Sequence, residues 1–221
     1  MGMNQKLKLI PLVVLAGAIA PAAVVAQKVE QKLSISAAPK VVSFGGDLKV
    51  TGQLTGGDAR DISGQNITLQ ADPFPYEGKF ERLDAVDTTD TGAYSFTIKP
   101  TVNAKYRTTA KGGVQSAEVT VPVKVAVTRK VSDTTPKKGA RVKFSGTVAP
   151  PHDGRVARIQ RRTASGWKNI SKVRLVDGGD IVSKYSKRVR IYKSGAYRVK
   201  FNPADGDHAT GFSRKVKLTV G

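Results

Sequence analysis

The feature that most limits what this chain can become is a repeated plan. Residues 139–167, GARVKFSGTVAPPHDGRVARIQRRTASGW, read as two β-strands joined by a turn, and residues 46–70, GDLKVTGQLTGGDARDISGQNITLQ, follow the same order. In 141–148, Val142, Phe144 and Val148 alternate with Arg141, Lys143, Ser145 and Thr147, and Gly146 falls on the apolar register. A period of two marks a strand with one buried face. Pro150, Pro151, Asp153 and Gly154 form a turn cluster. In 155–162, Ala157 and Ile159 then point one way and Arg158, Gln160 and Arg162 the other. The first copy offers Leu48, Val50, Gly52 and Leu54, a Gly-rich turn, then Ile67, Leu69 and Gln70. Farther on, Tyr94-Ser95 matches Tyr185-Ser186, Tyr106-Arg107 matches Tyr197-Arg198, and the spacing of Ser116, Val119 and Val121 matches that of Ser213, Val216 and Leu218. The offset drifts from 90 to 97 residues, which turns of unequal length explain. Similarity at that period implies a duplicated domain and not a solenoid of short repeats.

Residues 1–26 read as a secretory signal: Lys6 and Lys8, an apolar run over 7–20, and small residues ending at Ala26. Pro11, Gly17 and Pro21 interrupt the run, which is short for a spanning helix. No Cys follows it and no Arg-Arg pair precedes it, so neither a lipoprotein anchor nor the twin-arginine route is expected. No other segment could span a membrane, so the expected location is secreted, extracellular or cell-surface associated. Cleavage at Ala26 leaves 195 residues, about 97 per copy. The chain has no cysteine, so packing and not disulfides must hold it. Copies of that length suit seven-stranded sandwiches of roughly 100 residues.

The predicted division is therefore 27–126 and 127–221. Strands are expected near 32–36, 48–54, 66–71, 82–87, 94–99, 105–110 and 117–123. In the second copy they are expected near 125–131, 141–148, 155–162, 172–176, 184–192, 196–201 and 215–220. No amphipathic helix is expected outside the signal. The junction, 121–130, holds only Pro122 and no Gly or Ser run, so the connection should be short and stiff.

Gly146, Ile159-Gln160, Gly166-Trp167, Gly195-Ala196-Tyr197-Arg198 and the Ser213 to Leu218 spacing together resemble bacterial immunoglobulin-like (fibronectin-III-like) β-sandwich repeats of secreted and surface proteins. That resemblance covers nearly all of the chain after the signal. It implies an all-β fold of two tandem antiparallel sandwiches. Such repeats serve as spacers, adhesion modules or carbohydrate-binding accessories and share no catalytic residues, so no site carries over. The disulfide and core Trp pattern of antibody domains is missing here.

Charge separates the two copies. Residues 27–126 hold 12 Lys/Arg against 11 Asp/Glu, a net of +1; residues 127–221 hold 23 against 6, a net of +17. Solubility alone does not call for such an asymmetry between similar modules. Alternation turns Arg158, Arg162, Arg198, Lys200, Lys215 and Lys217 outward on the third, sixth and seventh strands, which share a sheet in an immunoglobulin-like order. Lys143, Arg188 and Arg190 would coat the other sheet. Like charges across neighbouring strands cost stability, and together they raise a strong local potential. The functional expectation is a non-catalytic protein whose basic second half contacts an anionic polymer: a cell-wall polymer, acidic polysaccharide or nucleic acid. The alternative is a surface spacer or adhesion module whose cations only solvate it.

The remaining signals are weaker. Trp167 is placed on a turn, where it either stacks on a sugar or base or closes the sandwich end. Tyr185 and Tyr197 are expected in the core. His152 and His208, the two histidines of the chain, fall in separate turns with no metal-ligand spacing around them. Asp205-Gly206-Asp207 and the set Asp84, Asp87 and Asp90 read as ordinary turn or strand acids and not calcium ligands. No nucleophile elbow, phosphate loop or paired-carboxylate motif is present. No catalytic residue, metal or cofactor is therefore expected.

Overall fold

In the computed structural model, which describes residues 29–221, the alternating runs form antiparallel ladders and the chain is all-β. The expected signal segment lies outside the described residues. In the first half, Leu48–Thr55 pairs with Lys32–Leu33, Ser36–Ala38 and Ala93–Ile98. A second sheet runs Glu81–Asp87, Asn66–Pro73, Ala104–Thr109, Val119–Val121. In the second half, Arg141–Ala149 pairs with Ala126–Val127, Lys130–Val131 and Ser183–Arg190. Its companion sheet runs Gly166–Arg174, Val156–Thr163, Gly195–Phe201, the last strand flanked by Gly211–Phe212 and Val216–Leu218.

Each half has its own apolar cluster. One draws on Leu48, Val50, Ile67, Leu69, Phe96 and Tyr106; the other on Val142, Phe144, Ile159, Tyr197, Val199 and Phe201. Both clusters take residues from two sheets, as a sandwich-like packing requires. The inward registers of Phe144, Ile159 and Val199 are as the alternation predicts, and all three are fully buried.

The two halves repeat each other in detail. Gly52 pairs with Tyr94, and Gly146 with Tyr185. In each pair the tyrosine hydroxyl donates to a backbone carbonyl across the glycine: Tyr94 to Ser34, and Tyr185 to Thr128 at 2.6 Å. Both glycines lack room for a Cβ, which would strike that same carbonyl oxygen. Both halves carry a β-bulge before a glutamine, between Leu69 and Gln70 and between Ile159 and Gln160. In both, a serine hydroxyl accepts from a buried strand: Ser116 from the Thr108 N–H and Ser213 from the Val199 N–H, each at 2.9 Å.

The connection is short. After Val119–Val121, Val123–Lys124 runs parallel to Val42–Ser43, and Ala126–Val127 already belongs to the second half. Residues 202–209 of the second half lie against this joint. Val125 N–H donates to Ala209 O at 3.1 Å and Ala209 N–H to Val123 O at 2.8 Å.

The placement of Trp167 needs correction, and the structure adds short elements. Trp167 is not on a turn: it lies in the strand Gly166–Arg174, opposite Arg162. That strand begins six residues before the expected start at 172. Gly211–Phe212 forms a further short strand beside Lys200 and Phe201 that the sequence did not suggest. A single helical turn, Ala59–Ile62, caps the Gly-rich turn of the first half and buries nothing.

Candidate functional site

The outer face of the sheet built on Val156–Thr163 and Gly195–Phe201 gathers the expected cations. Arg158 stands opposite Lys200 on one side and Lys172 on the other, and Gln160 stands opposite Arg198. Lys217 pairs with Ala196 at the far edge. Lys215 precedes it in the same register, since Val216 between them packs on the core. Arg158, Arg162, Lys215 and Lys217 are exposed; Arg198 and Lys200 are half-buried. The structure therefore brings four of the six together on two adjacent strands and sets Lys215 and Lys217 along the edge.

Arg198 is the fixed point of this face. Its guanidinium carbon lies 4.0 Å from the ring centres of both Trp167 and Phe212. Its Nε donates to Gln160 Oε1 at 2.9 Å, and Gln160 Nε2 donates in turn to Asn169 Oδ1 at 2.9 Å. Arg162 lies 5.8 Å from the Trp167 ring and Lys200 5.9 Å from Phe212. Aromatic faces attract cations, so the rings interleave charges that would otherwise only repel. Burial, and then the nearby charge of Arg162, hold the Arg198 guanidinium below its ordinary pKa. The aromatic part of this site escaped sequence reasoning. The Ser165-Gly166 pair before Trp167 reads as a turn, and Phe212 stands alone between Gly211 and Ser213 with no alternating pattern to mark a strand.

The first half has the same frame with different chemistry. Arg107 lies 4.0 Å from the Phe80 ring centre and donates through Nε to Gln70 Oε1 at 2.8 Å. The residue matching Lys215 there is Glu118, because Tyr106 pairs with Val119 as Tyr197 pairs with Val216. Glu118 forms an ion pair with Lys105 at 3.1 Å. Among the described residues, no Lys or Arg side chain of the second half lies within 4.0 Å of a carboxylate, whereas Lys79, Lys99 and Lys105 of the first half do. A cleft of about 190 Å³ lined by Val156, Arg158, Lys200, Asn202 and Ala204 opens beside the basic face.

A second cluster lies at the joint. The turn containing His152 and the loop 202–209 bring His152, Asp205 and His208 together, with ligand atoms within 4.8 Å of one another. The sequence spacing places each histidine in its own turn, and packing of the two turns brings them together. His152 Nε2 is 3.0 Å and His208 Nδ1 3.2 Å from Asp205 Oδ2. Burial alone pushes the Asp205 carboxyl up, but hydrogen bonds from His152 and His208 outweigh it and hold the pKa at about 2. No such grouping forms around Asp84, Asp87 and Asp90 among the described residues.

The chain matches no protein-family model and no curated protein sequence.

Proposed function

We propose that this is a secreted, non-catalytic binding protein of two tandem immunoglobulin-like sandwiches, the second of which holds an anionic polymer on the face around Arg198. The observation that carries this reading is the set of second-half cations without carboxylate partners, arranged around an arginine held against two aromatic rings. Cations left unpaired on one face attract a polyanion through counterion release. A pre-positioned guanidinium gives up less freedom on binding a phosphate, sulfate or carboxylate. Phe212, 44% exposed, leaves an aromatic edge beside the charges for a sugar or base.

The test uses immobilised sulfated polysaccharide, poly(glycerol phosphate) and single-stranded DNA as probes. The chain should be retained at low salt and released as salt rises. Replacing Arg158, Arg162 and Lys215 together by Ser removes three exposed cations and keeps Arg198, Trp167 and Phe212. That variant should elute earlier on every probe it binds and show a shallower salt dependence. A control with Lys40, Lys49 and Lys111 replaced by Ser loses the same charge from the first half and should elute with the parent chain.

The competing reading, a rigid surface spacer, draws support from the hydrogen bonds across the joint. Identical elution of the two triple variants, or no retention at low salt, would favour it.

A further inference from the structure

We propose that His152, Asp205 and His208 form a binding site for one divalent transition ion of the zinc class at the joint between the two halves. This stands independently of the polyanion reading. The argument begins with the protons. His152 Nδ1 is 2.8 Å from Pro150 O, and His208 Nε2 is 2.9 Å from Thr101 O. A carbonyl oxygen only accepts, so each of these outer nitrogens carries its proton. The inner nitrogens then either carry a second proton and donate to Asp205 or offer it a lone pair. Those two nitrogens, His152 Nε2 and His208 Nδ1, converge on Asp205 Oδ2. Protons fill the space between these three atoms as hydrogen bonds, and one divalent cation can take their place, since all three ligand atoms lie within 4.8 Å of one another.

The surroundings match what a zinc ligand set needs. A ligating histidine ordinarily donates its second N–H to a carbonyl or carboxylate, which fixes the tautomer and aims the ring. Both histidines have that partner here. Asp205 Oδ1 is held by the His208 N–H at 3.0 Å, which leaves Oδ2 facing the rings. Bonds of about 2.0–2.2 Å from zinc to N and O imply edges of about 3.3 Å in a tetrahedron. The two contacts to Oδ2, 3.0 and 3.2 Å, are already near that length. The histidine side chains are only 9% and 8% exposed, and their rings pack at 5.1 Å on Phe201 and 6.2 Å on Phe44. Ala204 has φ +52 and Gly206 φ +83, so the backbone on both sides of Asp205 holds a conformation that L-residues avoid. Two imidazoles and one carboxylate suit zinc, and its neighbours copper and nickel, and not calcium or magnesium. Thr101 belongs to the first half and the three ligands to the second, so a bound ion also fastens the joint.

The experiment uses the full chain, freed of metal by chelator and then titrated with Zn²⁺, with Ca²⁺ as a control. Equilibrium dialysis should give one zinc per chain at micromolar or lower free concentration. The two histidines allow an unambiguous long-range ¹⁵N spectrum. Without metal it should show a proton on His152 Nδ1 and on His208 Nε2, the nitrogens that face carbonyl oxygens. Zinc should shift His152 Nε2 and His208 Nδ1 and leave calcium-treated samples unchanged. His152→Gln and Asp205→Asn should each weaken zinc binding at least about tenfold. Zinc should raise the thermal midpoint of the parent chain and not that of His152→Gln. The proposal is overturned if zinc does not bind one to one, if it binds without moving those two nitrogens, if calcium moves them equally, or if both variants bind as the parent does. The nitrogen shifts are read on the parent chain, so the test survives a variant that fails to fold.

Discussion

The guanidinium of Arg198 lies 4.0 Å from the ring centre of Trp167 and an equal distance from that of Phe212, rings that reach it from strands on opposite sides of its own. Each contact of this kind contributes about 0.5–1 kcal/mol at an exposed site. Trp167→Ala and Phe212→Ala should therefore each weaken binding of a sulfated polysaccharide by about two- to fivefold at low salt, by freeing the Arg198 side chain. Trp167 is the only tryptophan, so its emission reports on this face alone. Addition of the polymer should change that emission, and 1 M salt should restore it.

Tyr185 and Gly146 form a unit that is tested by its two halves. Tyr185→Phe leaves the Thr128 carbonyl without its donor and should cost about 1–2 kcal/mol. Gly146→Ala should cost more, because the new Cβ meets the Thr128 backbone as well as the Tyr185 hydroxyl and so breaks the same bond while adding a clash with the main chain. The same order is expected for Tyr94→Phe and Gly52→Ala. Denaturant unfolding of the four variants checks it; an alanine variant as stable as the parent would show that the strands can separate freely there.

Phe144 is fully buried among Tyr197, Val199 and their neighbours, so Phe144→Ala should lower stability by about 3–5 kcal/mol. A loss under about 1 kcal/mol in urea unfolding would mean the strand is set one residue out of register.

The inward set Val142, Phe144 and Val148 was legible because one face of that strand is buried and a period of two leaves a clear trace. So were the outward Arg158 and Arg162. The strand carrying Trp167 was not legible, for a local reason. A β-bulge sets Gln160 opposite Asn169 but Ile159 opposite Ser171, which drops Ile170 from the ladder and breaks the alternation over 166–171. Gln160 looked like an outward polar residue, yet it is buried, because Arg198 lies against it. The grouping of His152 with His208 left no trace at all. Fifty-six positions separate them, and only the packing of one turn against the loop 202–209 brings them together.

Alkaline pH should unfold the chain through its buried phenols. Burial pushes the Tyr106 hydroxyl up to about 12 and also raises Tyr94, Tyr185 and Tyr197. A phenol whose pKa is higher folded than unfolded binds its proton more tightly in the native state. Its contribution is complete below about pH 10, the unfolded value, and is lost as pH rises toward about 12. Tyrosinate absorbance should show these four phenols ionising together with the loss of β-sheet circular dichroism. Smooth ionisation of all six tyrosines near pH 10, with the fold intact, would contradict this.

Asn103 ties the two halves through its side chain and its backbone. Its Nδ2 donates to Gly206 O at 2.7 Å, its Oδ1 accepts from the Val123 N–H at 2.7 Å, and its backbone N–H donates to Asp207 O at 2.8 Å. Asn103→Ala removes the two side-chain bonds and leaves the buried Val123 N–H unpaired, at a cost of about 1–3 kcal/mol. Asn103 belongs to neither apolar cluster, so the loss should fall on the joint. Gly206→Ala attacks the same place from the other side: its Cβ would enter the Phe74 ring, and φ is +83. Both variants should loosen the alignment of the halves, read as unequal alignment tensors from residual dipolar couplings, and should split one thermal transition into two. If either variant keeps a single transition and one common tensor, the joint is held by the paired backbone of Val123, Val125 and Ala209 and not by Asn103.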